Sequence, residues 1–413
     1  MKTILTFLTA LIGFTAAHGQ RICGTANYNN MVKIGKQNGF ETKGGVRLAA
    51  RDTLTNEVIN IPVVVHVLYN SAVQNISDEQ IKSQLTSLNK DFNDVNSDRV
   101  NTPSAFKSVV AKCNIKFCLA QVDPTGKRTT GIERKFSNTV VFNADDAMKI
   151  ESRGGIKAWN SKKYLNIWIC GLNSRSLGYA TSPGSAAEID GVVIAHDVFG
   201  TIGNLRAPFN KGRTATHEVG HWLGLSHIWG DDNCGDDGVY DTPRQKSYNF
   251  GCPSFPRVTD CSQTINGDMF MNFMDFVDDA CMNMFTIGQK QKMRALFAAN
   301  GSRNGFLTAY GCDSNAVQAG PIAIDSTTVP VISPLQITMY PNPTNAVVNI
   351  EVVKFINNAN YTIYIYNAIG AIVQTQQINT QKTSVQIASL PAGIYTLVIN
   401  SGTEKTTKKL IKQ

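Results

Sequence analysis

The sequence predicts an α/β (α+β) protein in which a mixed sheet backed by helices precedes a small antiparallel β-sandwich. Apolar runs alternate with helical patterns before residue 312, and short segments with period-two alternation follow residue 335. A chain of 413 residues is long enough for two or three domains of roughly 150 residues each. Hydrophobic residues make up 42% and charged residues 17%, which is typical of globular proteins and excludes wholesale disorder.

The N-terminus has the pattern of a secretory signal peptide over residues 1–19. Lys2 supplies a positive charge, and residues 4–17 form an apolar stretch that is too short to span a bilayer. Cleavage after Ala17 and cleavage after Gly19 both fit the small residues that follow. Since no other stretch has the length of a transmembrane segment, we expect an exported protein, with the polar residues 20–58 as a pro-segment or flexible arm.

The formal net charge of +8 does not predict a nucleic-acid partner. The positive residues are spread along the chain, and their densest cluster, at the C-terminus, alternates with threonine and apolar residues. That alternation favours a solvated strand edge over a nucleic-acid-binding patch. We therefore expect no nucleic acid among the partners.

The globular region begins with a predicted strand and a predicted helix. Residues 61–70 (IPVVVHVLYN) form a nearly continuous apolar run, which favours a strand buried on both faces. In residues 78–92 apolar side chains recur at helical spacing after Ser77, a suitable N-cap. Further strand-like runs follow at residues 115–122, 164–172 and 190–198.

Two more helices and a long loop are predicted before the second domain. Residues 214–225 are helical by pattern, and residues 228–268 are predicted to be loop. Thr286 caps a last helix that ends at Gly301. Residues 313–334 are rich in small residues and proline, which predicts a linker.

Residues 335–413 form the predicted β-sandwich. The segments YTIYIYN, TSVQIAS and GIYTLVIN alternate side-chain type with period two. Glycine, proline and asparagine turns separate these segments, as expected for antiparallel strands.

The run HEVGHWLGLSH carries three histidines and a glutamate around a glycine. His217 and His221 are four residues apart, so on a helix both imidazoles lie on one face and can reach one ion. Glu218 points roughly a quarter-turn away, where it can hydrogen-bond a water on that ion but is poorly placed as a ligand. A positive φ at Gly224 would end the helix and bring His227 back toward the first two histidines.

Three neutral imidazoles and a water give a four-coordinate zinc with an open position, as a catalytic site requires. The alternative is an amphipathic helix whose histidines are hydrogen-bonded core residues, and a lone histidine would favour it. In a chain with six histidines, however, the full pattern favours a catalytic zinc site at His217, His221 and His227.

HEVGHWLGLSH resembles the extended zinc-binding consensus HExxHxxGxxH of the metzincin metallopeptidases. MNFMDFVDDACMNMFTIGQ is similar to the Met-turn and C-terminal helix of the pappalysin (ulilysin-like) branch, where Met274 would be the methionine beneath the zinc imidazoles. HIWGDDNCGDDGVYDTP resembles that family's loop after the third histidine, and LGYATSP resembles its substrate-lining edge strand. The resemblance covers about residues 61–312 and implies a metzincin-like domain, residues 59–312, with a five-stranded mixed sheet and a zinc-site helix.

The resemblance implies a secreted zinc-dependent endopeptidase that acts on protein or peptide substrates. Zinc lowers the pKa of its bound water, and Glu218 accepts the proton as general base and returns it to the leaving amine. An edge strand at Gly178, Tyr179 and Ala180 would hold an extended substrate by strand addition. The alternative for these three residues is a sheet edge without a ligand.

Two positions depart from the family pattern. The family usually has a tyrosine two residues after the Met-turn methionine, whose hydroxyl steadies the tetrahedral intermediate, whereas this chain has Phe276. Members that prefer arginine after the scissile bond carry an aspartate just before the last cysteine of the loop, where this chain has Ala280 after Asp278 and Asp279. Ala280 argues against a basic preference. Phe276 predicts a slower reaction and is the only sequence support for the alternative of a catalytically weakened surface adhesin or binding protein on the same scaffold. The intact Glu218 and the three intact histidines argue against that alternative.

Four of the nine cysteines lie in or beside a Gly/Asp/Pro-rich segment with little predicted regular structure. Disulfides persist in exported proteins, and cross-links would reduce the entropy that such a segment loses on folding. In the family, the cysteines of this loop pair crosswise, which implies the disulfides Cys234–Cys261 and Cys252–Cys281 in this chain.

Family members also bind calcium in the same loop through oxygen ligands. Suitable hard donors here are Asp236, Asp237, Asp241 and Thr242. The alternative is a solvated acidic loop without an ion.

Nine cysteines leave at least one thiol unpaired. Cys23, in the motif RICGT, closely follows the predicted signal-cleavage site, and a pro-segment thiolate can occupy the fourth position of zinc in place of water. The family resemblance favours such a cysteine switch, which makes the chain a latent zymogen with Arg47 and Arg51 as candidate activation sites. The alternative is a disulfide between Cys23 and one cysteine of the set Cys113, Cys118, Cys170 and Cys312.

The C-terminal region resembles the sorting domain of the type IX secretion system of Bacteroidota. The residues that carry the resemblance are MYPNPTNAVVNI, YNAIGAIV, LPAGIYTLVI and the terminal KKLIKQ. It implies passage through the outer membrane by the type IX secretion machinery, to the cell surface or the extracellular space, with removal of the module afterwards. The alternative is a carbohydrate-binding sandwich, but this region lacks tryptophan for stacking on a sugar.

Overall fold

The computed structural model describes residues 20–28, 57–173, 176–309, 312, 337–353, 355, 361–367, 371–401 and 405–413. Its contacts separate two compact units, Met1–Gly320 and Pro321–Gln413. The predicted signal peptide, most of the pro-segment with Arg47 and Arg51, and the predicted linker lie outside the described residues.

A mixed sheet with the strand order β2-β1-β4-β6-β5 forms the centre of the first unit, and β3 also pairs with β1. Neighbouring strands are parallel except β5, which runs antiparallel to β6 at the edge. The strands are β1 (Ile59–Tyr69), β2 (Ile115–Leu119), β3 (Ile132–Phe136), β4 (Leu165–Cys170), β5 (Gly178–Ala180) and β6 (Val192–Ala195).

The expected mixed sheet is confirmed, with a sixth strand added to the expected five. β1 has 11 residues, but β2 pairs with it only up to Val63. β2 does not cover the rest of this edge of β1, and β3 pairs with it there from Val65 to Tyr69. The sequence of β3, IERKF, is largely polar and its residues are half-buried or exposed, so it lacks the apolar run that marks the other strands.

Three α-helices belong to the described part of the first unit: α1 (Asp78–Asp91), α2 (Arg213–Trp222) and α3 (Ile287–Ala295). None of the described helices combines the length and the apolar character that crossing a bilayer requires. Short 3-10 helices are formed by Ser97–Asn101, Ser104–Val109, Ala147–Lys149, Glu151–Arg153, His196–Val198, Asp279–Cys281 and Asn304–Thr308.

The caps predicted for two helices are present. At the start of α1, the Ser77 hydroxyl accepts a hydrogen bond from the Gln80 backbone N–H over 3.1 Å. At the start of α3, Thr286 and Gln289 form a capping box. This helix ends at Ala295 and not at Gly301, because the following residues make tighter bonds between residues three apart.

β1 is buried on both faces, as its apolar run predicts. Val63, Val65 and Val67 face the main core, to which α1 and α2 contribute. Leu68 faces a smaller core on the other side of the sheet, which contains Tyr28, Trp168 and Tyr179. The sheet therefore separates the helices from a second layer built mainly of loops.

The second unit contains two antiparallel sheets with the orders β10-β9-β12-β13 and β11-β8-β7. Side chains of β8 and β9 alternate between buried and partly exposed, and the buried ones share one core, as predicted for a β-sandwich. The strands are β7 (Ile337–Tyr340), β8 (Val347–Val352), β9 (Tyr361–Tyr366), β10 (Ile372–Ile378), β11 (Lys382–Gln386), β12 (Gly393–Asn400) and β13 (Lys405–Lys412).

Candidate metal centre and active site

Helix α2 presents two of the predicted ligands on one face. His217 and His221 lie one turn apart, with their Nε2 atoms 3.1 Å from each other. All residues of this helix are buried, and Arg213 at its start forms ion pairs with Asp91 of α1 and with Asp98. These charged contacts fix the start of the helix and, with it, the direction in which both imidazoles point.

A bend at Gly224 brings the third histidine to the first two. Gly224 has a φ of 85°, and the Leu225 backbone N–H donates to the Gly220 carbonyl over 3.0 Å, which closes the end of the helix. His227 Nε2 then lies 3.0 Å from His221 Nε2. Since nitrogens around a tetrahedral zinc are about 3.3 Å apart, this arrangement fits a zinc ion.

Each imidazole is oriented by a hydrogen bond at Nδ1. The acceptors are the Phe273 carbonyl for His217 (2.7 Å), the Leu225 carbonyl for His221 (2.8 Å) and the Asp231 carboxylate for His227 (2.5 Å). An Nδ1–H donated to these oxygens leaves the Nε2 lone pair for a metal. Burial lowers the pKa of His217 well below its usual value and that of His221 to about 3, so both rings are neutral, as ligands must be.

The Cys23 thiol completes the cluster. Its Sγ and one nitrogen of each histidine all lie within 4.8 Å of one another, and all four residues are buried. In the part of the chain that the structure describes, this is the one group of histidine, cysteine and carboxylate side chains spaced to hold an ion. Cys23 is a free cysteine, so the alternative disulfide is not formed. Three imidazoles and a thiol are a donor set that suits zinc.

Glu218 lies beside the cluster. Its Oε2 accepts a hydrogen bond from the Thr25 hydroxyl over 2.7 Å and is 3.5 Å from Cys23 Sγ. Burial raises the pKa of Glu218 to about 7, although the hydrogen bonds from Thr25 and Cys23 favour the carboxylate. A carboxyl group with a pKa in this range suits proton transfer at neutral pH.

Met274 lies beneath the helix that carries the histidines. A Cβ on Gly220 would be 2.5 Å from the Met274 sulfur, so the glycine leaves room for the thioether. The Met274 carbonyl accepts a hydrogen bond from the Ile228 backbone N–H over 3.2 Å, which holds the chain directly after His227. The role of Met274 as the Met-turn methionine stays a prediction, which this contact with the helix supports.

Phe276 packs an apolar ring against the imidazoles. Its ring centroid is 4.8 Å from that of His227 and 5.7 Å from that of His217. Trp229 and Tyr248 surround the same ring at 4.7 and 5.4 Å, and Trp229 also stacks on His227 at 4.3 Å. Phe276 therefore supplies packing at this position but no hydrogen-bond donor.

The predicted substrate-binding edge of the sheet, β5, is paired with residues at the start of the predicted pro-segment. Cys23 and Gly178 form a parallel bridge in which the Gly24 backbone N–H donates to the Gly178 carbonyl over 2.8 Å. The Ala180 backbone N–H donates to the Thr25 hydroxyl over 2.9 Å, and residues 25–28 form a helical turn. Residues 20–28, expected as part of an irregular arm, thus lie along the strand that was expected to bind substrate.

Arg21 fills a separate buried pocket beside α2. Its guanidinium donates to the Val277 carbonyl and the Thr214 hydroxyl, both over 3.2 Å, and forms an ion pair with Asp279. The other Asp279 oxygen accepts a hydrogen bond from the Lys211 backbone N–H over 2.7 Å. A carboxylate for a basic side chain is therefore present here, one residue before the position at which the family carries it.

Three disulfides cross-link the described residues. Two of them have the crosswise pairing that the resemblance implies, Cys234–Cys261 and Cys252–Cys281. The third, Cys118–Cys312, joins β2 to the end of the first unit.

The acidic loop does not gather its predicted calcium ligands around one point. Both carboxylate oxygens of Asp241 accept hydrogen bonds from the start of α3, and the Thr242 hydroxyl donates to Asp237 Oδ1 over 2.7 Å. Asp236 is exposed and pairs with Arg244 at 3.4 Å. One feature supports an ion: among the described residues, Asp237 Oδ2 is buried without a hydrogen-bond partner, and burial raises the pKa of this carboxyl to about 6. Calcium binding stays a prediction.

Sequence reasoning missed several residues of the site. Asp231 follows His227 by four residues, and a carboxylate close behind a candidate ligand is a signal that could have identified it. Thr25 and Arg21 give no comparable signal, because their partners Glu218 and Asp279 are 193 and 258 residues away.

Two protein-family models match this chain. The family described as pregnancy-associated plasma protein-A matches residues 151–298, which include α2, His227 and Met274. A secretion system C-terminal sorting domain matches residues 338–413, which cover most of the second unit.

Extracellular metalloproteases of two organisms are similar to the chain. That of Pyricularia oryzae is 33% identical over 261 residues, which are 61% of this chain and 78% of the relative. That of Verticillium alfalfae is 33% identical over 291 residues, which are 67% of this chain and 88% of the relative.

Two solved structures from Tannerella forsythia share the fold. A promirolysin mutant is 46% identical, with a TM-score of 0.64 over 69% of this chain and 97% of that chain. Mature mirolysin in complex with a cleaved peptide is 50% identical, with a TM-score of 0.60 over 61% of this chain and 96% of that chain.

The sorting domain and the extracellular relatives show that the protein is secreted by the type IX route. The matched family consists of metalloproteases, which act on protein substrates. The buried cluster of imidazoles in this chain is consistent with that family. The chain therefore belongs to the pregnancy-associated plasma protein-A family and is a secreted zinc metalloprotease.

Proposed function

We propose that the chain is a zinc endopeptidase that is made as a latent precursor, with Glu218 as the general base. The observation that supports this most directly is the convergence of the three imidazoles, in which His221 Nε2 is 3.1 and 3.0 Å from the nitrogens of His217 and His227. These three residues would hold the zinc ion. When bound, zinc supplies Lewis acidity to the scissile carbonyl and makes a water molecule acidic at neutral pH.

Glu218 performs the proton transfers in this proposal. In the precursor, its Oε2 is taken by the Thr25 hydroxyl at 2.7 Å. Departure of the pro-segment leaves that oxygen free to accept a proton from the attacking water and to pass it to the leaving amine. A pKa raised by burial makes the protonated form accessible during turnover, as the second step requires.

The edge of β5 binds the extended substrate. The backbone groups of Gly178 and Ala180 that bond to the pro-segment are those that a substrate strand would take by strand addition. A cleft of about 380 Å³ next to this edge is lined in part by Ser182, His221 and His227. Substrate thus reaches the metal ligands along the strand.

The pro-segment enforces latency at two points. The Cys23 thiol lies within 4.8 Å of the ligand nitrogens, where it excludes water, and Thr25 occupies the general base. Both contacts belong to one short stretch, so its release would restore both functions together.

The Arg21 pocket supports a preference for a basic residue after the scissile bond. A substrate arginine in the same place would meet the Asp279 carboxylate, the Val277 carbonyl and the Thr214 hydroxyl. We therefore include a basic preference in the proposal, with Asp279 in the role that Ala280 cannot fill.

Processing follows the predicted boundaries. The signal peptide covers residues 1–19, the pro-segment 20–58, the peptidase domain 59–312, the linker 313–334 and the sorting domain 335–413. The sorting domain engages the type IX secretion machinery and is removed after export.

A proteome digest analysed by mass spectrometry tests the proposal. The mature enzyme should release new peptides with arginine or lysine enriched after the cleaved bond, and a chelator should abolish their release. Glu218→Ala should release none while it binds as much zinc as the wild type, because the carboxyl is not a ligand. Release of the same peptides by both proteins would refute the proposal, and zinc binding without cleavage by the wild type would favour the binding-protein alternative.

A further inference from the structure

We infer that the pocket occupied by Tyr28 is a substrate subsite that takes a tyrosine side chain once the pro-segment has left. This inference rests on the proposed peptidase function, because it assumes that substrate replaces residues 20–28 along β5. It adds a preference for a phenol at a second place, away from the Arg21 pocket.

Tyr28 is inserted into the protein as a ligand would be. The side chain is 2% exposed, and its hydroxyl donates to Asp146 Oδ2 over 2.6 Å. Its ring lies on the ring of Tyr179, the middle residue of β5, with the centroids 4.7 Å apart. Tyr28 is therefore held by both its ring and its hydroxyl.

All of the residues that hold the Asp146 carboxylate in place belong to the predicted peptidase domain. Lys149 Nζ forms an ion pair with Asp146 Oδ1 at 2.7 Å and donates to the Ile189 carbonyl over 2.8 Å. The same ammonium group lies 5.0 Å from the ring centroids of both Trp168 and Tyr179. These contacts fix the Asp146 carboxylate whether or not Tyr28 is present.

Departure of Tyr28 removes the hydrogen-bond donor from Asp146 Oδ2. A carboxylate oxygen that loses its partner in a largely buried site favours any ligand that restores the bond. The space beside Tyr28 is already a cavity of about 370 Å³, to which the peptidase domain contributes Phe142, Ala144 and Leu172. The vacated pocket thus combines these apolar walls and the ring of Tyr179 with the Asp146 Oδ2 acceptor, and Asn143, Asn173 and Ser176 also line the cavity.

This combination selects a phenol over other side chains. A phenylalanine ring would fill the walls but leave the acceptor unpaired. A lysine or arginine would gain little from Asp146, because Lys149 already balances that charge. A tyrosine ring packs against the walls, and its hydroxyl donates a hydrogen bond to Asp146 without adding a charge.

The pocket lies close to the scissile bond. Tyr179 directly follows Gly178, the residue that pairs with Cys23 beside the metal ligands. Since an extended chain advances about 3.3 Å per residue, a substrate tyrosine should enter the pocket within about three residues of the cleaved bond.

A peptide series measured with the mature, zinc-loaded enzyme tests the inference. A parent peptide found in the proteome digest is made with alanine, phenylalanine or tyrosine at each of the three positions on either side of the cleaved bond. At one position we expect kcat/KM for tyrosine to exceed that for phenylalanine by about tenfold, as a hydrogen bond to a carboxylate provides. Asp146→Asn should reduce this ratio to below about threefold, because a neutral acceptor binds a phenol more weakly.

Asp145→Asn is the matched control. Asp145 is adjacent but pairs with Arg153 on the surface at 2.6 Å, so this variant should keep the tyrosine preference. Equal rates for tyrosine and phenylalanine at every position, or a ratio that Asp146→Asn leaves unchanged, would overturn the inference. Cleavage of the unsubstituted parent peptide reports separately on the peptidase itself, and a wild type that leaves that peptide intact would instead contradict the proposed function.

Discussion

Helix α2 and residues 20–28, at the start of the predicted pro-segment, meet at the same candidate metal ligands, but different contacts position them there. The helix brings two imidazoles together by its own periodicity, and a bend at Gly224 adds the third from the same short run. The pro-segment is positioned by contacts with remote residues, among them β5, Glu218 and Asp279. The helix builds its part of the site within one short run, whereas residues 20–28 are held by remote contacts, which proteolysis ends in the proposed mechanism.

Removal of one ligand from the helix should have the largest effect. His221→Ala deletes the imidazole that lies between the other two, and we expect loss of bound zinc and a decrease of kcat/KM on the order of 1000-fold or more. Metal analysis of the purified protein and peptide hydrolysis measure both. His196→Ala, which removes a histidine outside the cluster, should retain zinc, and equal zinc content in the two variants would disprove the ligand assignment.

Removal of the thiol from the pro-segment should act in the opposite direction. Cys23→Ala leaves Thr25 and Arg21 in place, so latency should weaken and not vanish. We expect the precursor to hydrolyse peptides at least about tenfold faster than the wild-type precursor, since a loss of about 1.4 kcal/mol in pro-segment binding has this effect. Time courses of peptide hydrolysis and of maturation check this.

The control for that experiment is Cys113→Ala, which deletes another buried free thiol that is not part of the metal cluster. It should leave latency unchanged even if it lowers stability. Two precursors with the same residual activity would remove Cys23 from the latency mechanism.

The smallest effect is expected at Phe276. Phe276→Tyr adds the hydroxyl that the family usually carries, beside a ring that already packs on His227 at 4.8 Å. We expect kcat to rise by up to about fivefold with KM unchanged. One hydrogen bond made only in the transition state has an effect of this order. Tyr248→Phe, which deletes a neighbouring hydroxyl, serves as the comparison in the same steady-state assay and should not change kcat. A Phe276→Tyr enzyme slower than the wild type would show that the apolar ring is needed.

The parts of the fold that depend on residues close together in the chain could be predicted from the sequence. Ser77 and Thr286 mark helix starts because a cap is a contact between residues three apart, and β1 is marked by its apolar run. β3 could not be predicted, since its pairing depends on the part of β1 that β2 leaves open.

The same division holds within the candidate site. His217, His221 and the bend at Gly224 follow from spacing and from the conformational freedom of glycine. The Arg21 pocket could not be predicted, because Ala280 argues against a carboxylate for a basic side chain, whereas the folded chain places the Asp279 carboxylate at Arg21. Contacts over such separations depend on how the whole sheet and its loops pack.

The contact between Gly220 and Met274 links metal affinity to a residue that binds no metal. A methyl group at position 220 would lie 2.5 Å from the thioether sulfur, so Gly220→Ala must shift the buried Met274 side chain, its loop or the helix. The neighbouring loop carbonyl, that of Phe273, also orients the His217 ring, and any displacement of the loop would rotate a ligand. Side-chain volume beneath the helix is therefore a means by which this enzyme's hold on its ion can be altered while all of its ligands stay intact.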